Sequence, residues 1–280
     1  MKLLSSAIVL LLASYGANAQ RLHVNLLAGA SNYQGDLQDK RFTFSQAHLA
    51  GGFGLSYDLS DNLALRGGVT FGKLSGDDKL GRNVLRNLNF ATNLIEFNLG
   101  AEYYITKINE HALTPYVFGG IALYHFNSYT HDTTGAKYFL KPLSTEGEGF
   151  AGGVKNYNLT QLAIPFGGGV KLSLSDNINV GLEFGLRKLF TDYIDDVSTR
   201  YVDQSSLLVN RGPKAVELAY RGNELKNGAS YPAEGSIRGG SKNKDWYYIT
   251  GLTMSFRLGT GNDLGFGARH SKYGCPANVN

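Results

Sequence analysis

The chain has 280 residues, with 36 glycines, 17 tyrosines and 15 phenylalanines but only 6 prolines and 1 cysteine. A single cysteine excludes the paired-cysteine framework that small exported domains often use. The formal net charge of +4 is too small to indicate nucleic-acid binding. The glycine and aromatic content favours an outer-membrane β-barrel, in which glycines pack a crowded lumen and aromatic residues form girdles at the membrane interfaces.

Residues 1–19 have the pattern of a secretory signal peptide. Lys2 supplies a short positive region, residues 3–13 form an apolar run too short to cross a bilayer as a helix, and Ala17–Ala19 is a small-x-small cleavage motif. Beyond residue 19 no long uncharged apolar segment follows. A membrane-spanning helix is therefore not expected, and the exported chain either stays soluble or crosses the membrane as a barrel.

Eight segments of the mature chain alternate between apolar and small or polar residues with a period of two, which predicts β-strands. Each is long enough for a tilted membrane crossing of about 9–11 residues. In the fifth segment we assign Tyr116, Phe118, Ala122 and Tyr124 to the apolar face, and in the sixth Pro165 predicts a bulge. The apolar faces lie in residues 24–30, 49–57, 63–71, 95–103, 116–124, 162–172, 178–186 and 246–258.

The connections between these segments alternate in length. Ser60–Asn62 and Ser175–Asn177 are tight polar turns, and residues 106–114 form a somewhat longer link. The other connections, residues 31–46, 74–90, 127–158 and 190–245, are long. Short periplasmic turns and long outer loops are typical of outer-membrane barrels. The sequence therefore predicts an all-β, eight-stranded antiparallel transmembrane barrel over residues 20–258, with both termini periplasmic and a periplasmic tail at 259–280.

Seven charged residues share the polar register of the predicted strands. A charge facing lipid at mid-depth would cost about 2–4 kcal/mol, whereas inside a narrow barrel cations and anions can pair across the lumen. We therefore expect a plugged barrel, not an open pore; scattered charges on a soluble sheet are the alternative, which the aromatic rims disfavour. The seven residues are Arg66, Glu96, Glu102, Lys171, Glu183, Arg187 and Arg257.

One loop carries a candidate cation site. Asp192, Asp195 and Asp196, with Asp203 nearby, could bind calcium because clustered carboxylates are its preferred ligands. Their spacing does not match an EF-hand, and a solvated loop or one paired with Arg200 is the simpler interpretation. We predict no metal here.

A second group of loop residues could be imagined as a hydrolase site. It comprises His125, His131, Asp132, Glu146 and Glu148. No nucleophile motif accompanies these side chains, and loop histidines are common. The sequence therefore predicts no enzymatic activity, no cofactor and no small-molecule substrate.

The predicted tail contains the single cysteine, Cys275. An unpaired thiol in an oxidising compartment suggests an intermolecular disulfide or a reactive thiol, and a disordered extension with an idle thiol is the alternative. Lys272 and Tyr273 lie in the same tail, and Asp61 and Asp176 lie in the tight turns. We take these five residues as the candidate partner-binding surface.

Several segments carry a pattern that covers nearly the whole mature chain: Ser75–Asp78, Thr114–Phe126, Pro142–Gly149, Phe190–Thr199, Arg238–Gly239 and Ser241–Tyr247. The run Phe-Thr-Asp-Tyr-Ile-Asp-Asp-Val-Ser-Thr is the most specific of them. Together they resemble the PorG family, outer-membrane β-barrels of the type IX secretion and gliding machinery of Bacteroidota.

The resemblance implies a structural role that the strand pattern by itself does not indicate. Barrels of this family are held to anchor a periplasmic ring, built from a PorK-type lipoprotein and a PorN-type partner, to the outer membrane. The expected partners are therefore the lipid bilayer and this ring, with Cys275 as a candidate covalent link. The alternative is a general structural or adhesin-like barrel that acts through its outer loops.

Overall fold

The computed structural model describes residues 21–38, 40, 43–108, 111–151 and 153–258. The predicted signal peptide and the predicted tail, including Cys275, Lys272 and Tyr273, lie outside these residues. The strands are β1 (Leu22–Gln34), β2 (His48–Asp58), β3 (Leu63–Asp77), β4 (Asn89–Tyr104), β5 (Leu113–His125), β6 (Tyr129–His131), β7 (Lys137–Phe139), β8 (Thr160–Ser173), β9 (Ile178–Leu189) and β10 (Trp246–Leu258). The α-helices are α1 (Gln204–Arg211) and α2 (Pro213–Ala219), and 3₁₀ turns occupy Asp78–Leu80, Lys141–Leu143 and Gly222–Glu224.

Eight of the strands form one closed antiparallel barrel. Their order around the wall is β3-β2-β1-β10-β9-β8-β5-β4, and β4 pairs with β3 to close it. Closure leaves no unpaired strand edge in the wall, which is a requirement for backbone placed in hydrocarbon. The predicted fold class is confirmed. The small β6–β7 hairpin is attached to β4 through the pair Ala91 and Tyr129.

The two ends of the barrel differ. The short connections β2–β3, β4–β5 and β8–β9 lie at one end, here called the short-turn end. The four long connections lie at the opposite end, here called the loop end. Strands β3 and β4 run further into the loop end than the sequence pattern predicts, and the last two long connections contain the β6–β7 hairpin and the helices α1 and α2.

An apolar belt surrounds the barrel. On β4, for example, Phe97 is 59% exposed whereas its neighbour Glu96 is 0% exposed. The outward residues from Ile95 to Tyr103 span about 27 Å of strand, or about 20 Å across a membrane at a tilt near 40°. This height is close to the apolar band of outer-membrane barrels, about 25 Å. Among the described residues no helix is long and apolar enough to cross a membrane.

The orientation assigned to β5 from the sequence is wrong. Tyr116, Phe118 and Tyr124 are buried inside the barrel, whereas Ile121 and Leu123 face outward and are exposed. Both registers of this strand are apolar, so alternation alone did not distinguish them. The aromatic side chains fill the lumen because of their size, and the aliphatic side chains are left for the belt.

Pro165 does not produce the predicted bulge. The β5–β8 ladder keeps the same register on both sides of it, with Gly119 opposite Phe166 and Ala122 opposite Ala163. No residue is therefore inserted. The missing N–H of proline is accommodated by a gap of two pairs in this ladder, while the ladder between β8 and β9 is continuous.

Four cross-strand pairs of glycines mark places where neighbouring strand backbones approach closely. Each of the eight strands contributes one glycine, and a Cβ added at any of these would meet another heavy atom closer than 3.0 Å, in seven cases a carbonyl oxygen of the neighbouring strand. The strand backbones thus approach too closely for a side chain at alternate interfaces of the barrel. The pairs are Gly29–Gly251, Gly54–Gly68, Gly100–Gly120 and Gly167–Gly185.

Substitution of two adjacent glycines in β5 tests this constraint. We expect Gly120→Ala to lower the free energy of unfolding by about 1–3 kcal/mol, because the new Cβ would press on the carbonyl oxygen of Leu99. Gly119→Ala is the matched control, since its Cβ would have its nearest neighbour, the Pro165 carbonyl oxygen, at 3.9 Å. Urea unfolding in detergent micelles measures both variants. Equal losses would contradict the close approach.

Candidate functional site: a charged lumen beneath a folded cap

The first lumen cluster is centred on Glu96 of β4. Arg187 of β9 donates from Nε to Oε2 at 3.0 Å and from Nη2 to Oε1 at 3.2 Å. The hydroxyl of Tyr247 donates to Oε2 at 2.6 Å, and Asn98 donates to Oε1 at 3.1 Å. The carboxylate therefore has a cation and two neutral donors in a position from which water is excluded, which is the condition under which a buried charge is tolerated.

The second lumen cluster joins two carboxylates through Arg66. Its guanidinium donates to Glu183 at 2.7 and 3.2 Å and to Glu102 at 3.3 Å. Lys171 also donates to Glu102, and the hydroxyl of Tyr116 donates to Glu183 at 2.8 Å. The guanidinium lies 4.5 Å from the ring centre of Phe118. Two cations thus neutralise two anions within one layer of the lumen.

The structure therefore brings six of the seven candidate lumen charges together in two clusters. Arg257, the seventh, is on the same inward face of β10 near the short-turn end, in register with His23. The sequence did not indicate that Tyr116 and Tyr247 donate to these carboxylates. Alternation placed Tyr247 on the inward face but gave no sign of its partner, and it placed Tyr116 on the wrong face.

The clusters leave little open space in the lumen. A cavity of about 70 Å³ remains, lined by Arg66, Lys171 and Glu183 among others. This volume holds a few water molecules and is far smaller than the aqueous channel of a large barrel. The lumen of the described barrel is packed with side chains.

Removal of one partner of a buried pair should destabilise the barrel strongly. We expect Arg187→Met to cost about 3–5 kcal/mol, because Glu96 would remain charged without a cation. The double variant Glu96→Gln with Arg187→Met should recover part of this loss. Urea unfolding in micelles provides the measurement, and a double variant no more stable than Arg187→Met would show that the pairing does not matter.

The long connections fold into a cap over the loop end, with an apolar core and buried ion pairs. Leu74, Phe126 and Ile194 belong to the core that continues from the lumen into the cap. Asp78 accepts two bonds from Arg86, at 2.6 and 2.7 Å, and Arg86 also donates to the carbonyl of Arg238. These contacts connect the β3–β4 hairpin with the connection between β9 and β10.

Glu146 is the centre of the cap. Arg238 donates to it at 3.0 Å, and the backbone N–H groups of Ser198 and Thr199 donate at 2.8 and 2.9 Å. The hydroxyl of Thr199 donates at 2.6 Å. One carboxylate thereby links the connection between β5 and β8 to two parts of the connection between β9 and β10.

The loop aspartates are structural. Asp195 accepts from Tyr33 at 2.6 Å, and Asp192 accepts from Ser198 at 2.9 Å. Asp196 accepts from Thr145 and Tyr157, both at 2.7 Å. In the part of the chain that the structure describes, no group of three or more His, Cys, Asp or Glu side chains is placed to hold a metal ion.

Two details of the sequence interpretation of this loop are wrong. The three aspartates are buried, not solvated, and Arg200 is exposed and donates to the carbonyl of Gly235. Asp203 lies outside the group, where it caps the N-terminus of α1 by accepting from the N–H of Ser206 at 2.8 Å. The cations near the buried aspartates are Arg86 at Asp195, Arg238 at Asp196 and Lys244 at Asp192, all of which lie far away in sequence.

The imagined hydrolase residues do not converge. His125 is exposed and bonds to Thr160 at 2.8 Å, and His131 is exposed on β6. Asp132 bonds to Lys214 at 2.8 Å, whereas Glu146 is occupied by Arg238. The arrangement holds the cap together and presents no nucleophile with a base.

Burial perturbs the acids of the cap. Desolvation, with the nearby charges of Asp196 and Glu146, raises the pKa of Glu148 to about 8. Desolvation also raises the pKa of Asp192 to about 7 and that of Asp196 to about 6. One oxygen of Glu148, Oε1, has no hydrogen-bond partner. A protonated Glu148 is thus the form that fits its surroundings at neutral pH.

The cap should therefore weaken as the pH rises. In the unfolded chain Glu148 loses its proton near its ordinary pKa of about 4.5, whereas in the fold it keeps the proton up to about 8. The contribution of Glu148 to the free energy of unfolding is therefore fully present below about pH 4.5. It decreases as the pH rises above that value and is lost once the pH has passed about 8. Near-ultraviolet circular dichroism of the stacked Tyr157 and Tyr193 rings, whose centres lie 4.8 Å apart, gives the melting temperature at each pH.

Glu148→Gln should reduce this pH dependence, leaving the part that comes from Asp192 and Asp196, and should leave the melting temperature above that of the wild type at pH 8.5. Glu234→Gln is the control, because Glu234 is exposed and should leave the profile unchanged. A wild-type melting temperature that does not change between pH 5 and pH 8.5 would contradict the assignment.

The candidate partner residues at the short-turn end lie in two turns of the same form. Asp61 and Asp176 are exposed, each within a Leu-Ser-Asp-Asn turn. The carbonyl oxygens of the following residues, Asn62 and Asn177, accept the backbone N–H of Tyr104 and Arg257, both at 2.8 Å. Each turn is therefore held against a neighbouring strand by a backbone hydrogen bond.

A closed eight-stranded wall with an apolar belt, an ion-paired interior and one loop-rich end defines the class: an outer-membrane-type β-barrel. Residues 2–210 match the model of the family described as Domain of unknown function (DUF6089), and the chain belongs to this family. A search of curated proteins finds no match.

Solved structures with a similar barrel include Neisserial surface protein A, with 8% identity, a TM-score of 0.42, and 84% of this chain and 96% of that chain covered. The attachment invasion locus protein Ail of Yersinia pestis has 8% identity and a TM-score of 0.39, with 84% of this chain and 98% of that chain covered. The N-terminal β-barrel domain of OprF from Pseudomonas aeruginosa has 13% identity and a TM-score of 0.35, with 84% of this chain and 97% of that chain covered.

Proposed function

We propose that this protein is a non-enzymatic scaffold of the outer membrane in type IX protein secretion, where it anchors a periplasmic ring of PorK-type lipoprotein and PorN-type partner. The observation that carries the proposal is the closure of the barrel. In the described part of the chain, ion pairs occupy the lumen and a folded cap covers one end, which favours a role carried out by the outer surfaces of the barrel.

The resemblance to the PorG family supports the specific role. The segments that carry it include the parts from which the cap is built. Glu146 lies in Pro142–Gly149, Asp195 and Asp196 lie in Phe190–Thr199, and Arg238 lies in another of these segments. The resemblance thus includes the residues on which the shape of the cap depends and is not limited to glycine-rich strands.

The proposed orientation directs the short-turn end toward the periplasm, as the lengths of the connections favour. Asp61 and Asp176 would then face the ring, and the tail after Leu258 would extend from the same end. Docking of residues 259–280, including Lys272 and Tyr273, on the ring lipoprotein gives the tail a function. Cys275 is the candidate for a disulfide to that partner.

Affinity purification in mild detergent tests the role of the tail. We expect the full-length protein to retain the PorK-type and PorN-type proteins, and a version ending at Leu258 to lose them while its barrel still shows heat-modifiable migration. On non-reducing gels of native membranes, Cys275→Ser should abolish a cross-linked band of higher mass. Equal partner recovery by the two lengths would contradict docking through the tail, and unmoved bands would contradict the disulfide.

An adhesin-like or general structural barrel is the second candidate. Exposed apolar side chains on the loop end favour it, because such residues on an outer surface commonly contact other molecules. Phe44, Leu85, Val209 and Ile237 are each more than 70% exposed, from 73% to 85%. For this function, loss of residues 259–280 would have no effect, whereas changes within residues 190–245 would.

A further inference from the structure

Acidic and basic side chains occupy different places in the loop end. Eight carboxylates there are buried: Asp78, Asp132, Glu146, Glu148, Asp192, Asp195, Asp196 and Asp245. Among the described residues of the loop end, the exposed cations are Lys40, Lys79, Arg82, Lys137, Lys155, Lys188, Arg200, Arg211, Lys226, Lys242 and Lys244, and the exposed acids are Glu224 and Glu234. The outer surface of the loop end is therefore strongly basic, although the formal charge of the whole chain is only +4.

Part of this basic surface continues directly from the apolar belt. Lys188 is exposed on the outward face of β9, in register with Ile164 of β8 and with Trp246 of β10. The next outward residue toward the loop end, Phe190, is 57% exposed. Lysine and tryptophan beside an apolar surface are typical of a membrane interface, where the lysine stem lies on hydrocarbon and its ammonium reaches the headgroups.

Two further lysines lie in the segment just before β10, which is joined to the end of β9 where Asp245 donates its backbone N–H to the carbonyl of Thr191 at 3.2 Å. Lys242 and Lys244 precede Trp246 by four and two residues, and both are exposed. The ammonium of Lys244 donates one bond, to the carbonyl of Ser241 at 3.0 Å, and retains other donors. Lys188, Lys242 and Lys244 are here called the rim cluster.

We propose that the rim cluster binds the phosphate groups of an anionic glycolipid in the outer leaflet around the barrel. Lipid already covers the belt below these lysines, so its headgroups lie at their level, and each cation near an anionic surface adds to the attraction. The proposal rests on the placement of the loop end at the outer face of the membrane. It is independent of the role in secretion.

Trp246 reports on the proposed site, because it is the only tryptophan of the chain and lies in register with Lys188. Bisphosphorylated lipid A is titrated into the full-length protein in micelles of a neutral detergent at low salt. We expect a saturable shift of the tryptophan emission that weakens as salt is added, because salt screens charge pairs. Dephosphorylated lipid A, the matched ligand, should produce no saturable shift.

Two triple variants separate the rim cluster from the general positive charge. Lys188→Gln, Lys242→Gln and Lys244→Gln together should weaken lipid A binding by at least about tenfold. Lys79→Gln, Lys137→Gln and Lys226→Gln remove the same charge from other parts of the loop end and should change the affinity by less than about twofold. Heat-modifiable migration shows whether each variant is folded.

Equal weakening by the two triple variants would overturn the proposal, because only net charge would then matter. Equal binding of the dephosphorylated lipid would also overturn it, since contact with acyl chains would account for the shift. If a soluble sulfated polysaccharide bound the rim cluster more tightly than lipid A, the occupant would be an external polymer, and the lipid proposal would be wrong.

Discussion

The cost of keeping charge away from water governs the interior of this barrel. Glu96, Glu102 and Glu183 point into a lumen too narrow to hydrate them, so each needs a cation and hydroxyl or amide donors at hydrogen-bond distance. Arg66, Lys171 and Arg187 satisfy this need from other strands. Three of these pairs, Arg187–Glu96, Arg66–Glu183 and Lys171–Glu102, connect strands that are not neighbours, whereas Arg66–Glu102 joins the paired strands β3 and β4. The need to pair these charges therefore fills the described part of the lumen with side chains that reach across it.

Buried carboxylates in the cap also need hydrogen-bond donors or cations, but the cap supplies them differently from the lumen. In the lumen, cations and anions are nearly balanced, whereas in the cap buried carboxylates outnumber Arg86, Arg221 and Arg238. Backbone N–H groups and hydroxyls therefore supply the missing donors, as at Glu146, and protonation relieves the repulsion at Glu148. The cap is consequently the part of the molecule whose stability depends on the acidity of the surroundings.

Much of the wall could be predicted from the sequence, because a period of two is a local property that seven strands display clearly. The prediction from this period was wrong at β5, because both faces of that strand are apolar. Only the space inside a closed barrel selects Tyr116 and Phe118 for the lumen. The cap was not predictable for a different reason. A run such as Asp-Tyr-Ile-Asp-Asp resembles a solvated loop, and its burial depends on Arg86 and Arg238, which only the tertiary structure brings near.

The glycine pairs have a consequence for how the wall is divided. They join β3 to β2, β1 to β10, β9 to β8 and β5 to β4, so the wall consists of four two-stranded units separated by interfaces without such a pair. Two of these units, β2–β3 and β8–β9, lie opposite each other and share the Leu-Ser-Asp-Asn turn. Three of the four units, β2–β3, β4–β5 and β8–β9, are hairpins of consecutive wall strands, and the fourth joins the first and last strands of the wall. The close glycine contact found within each hairpin therefore also forms where the two ends of the wall meet.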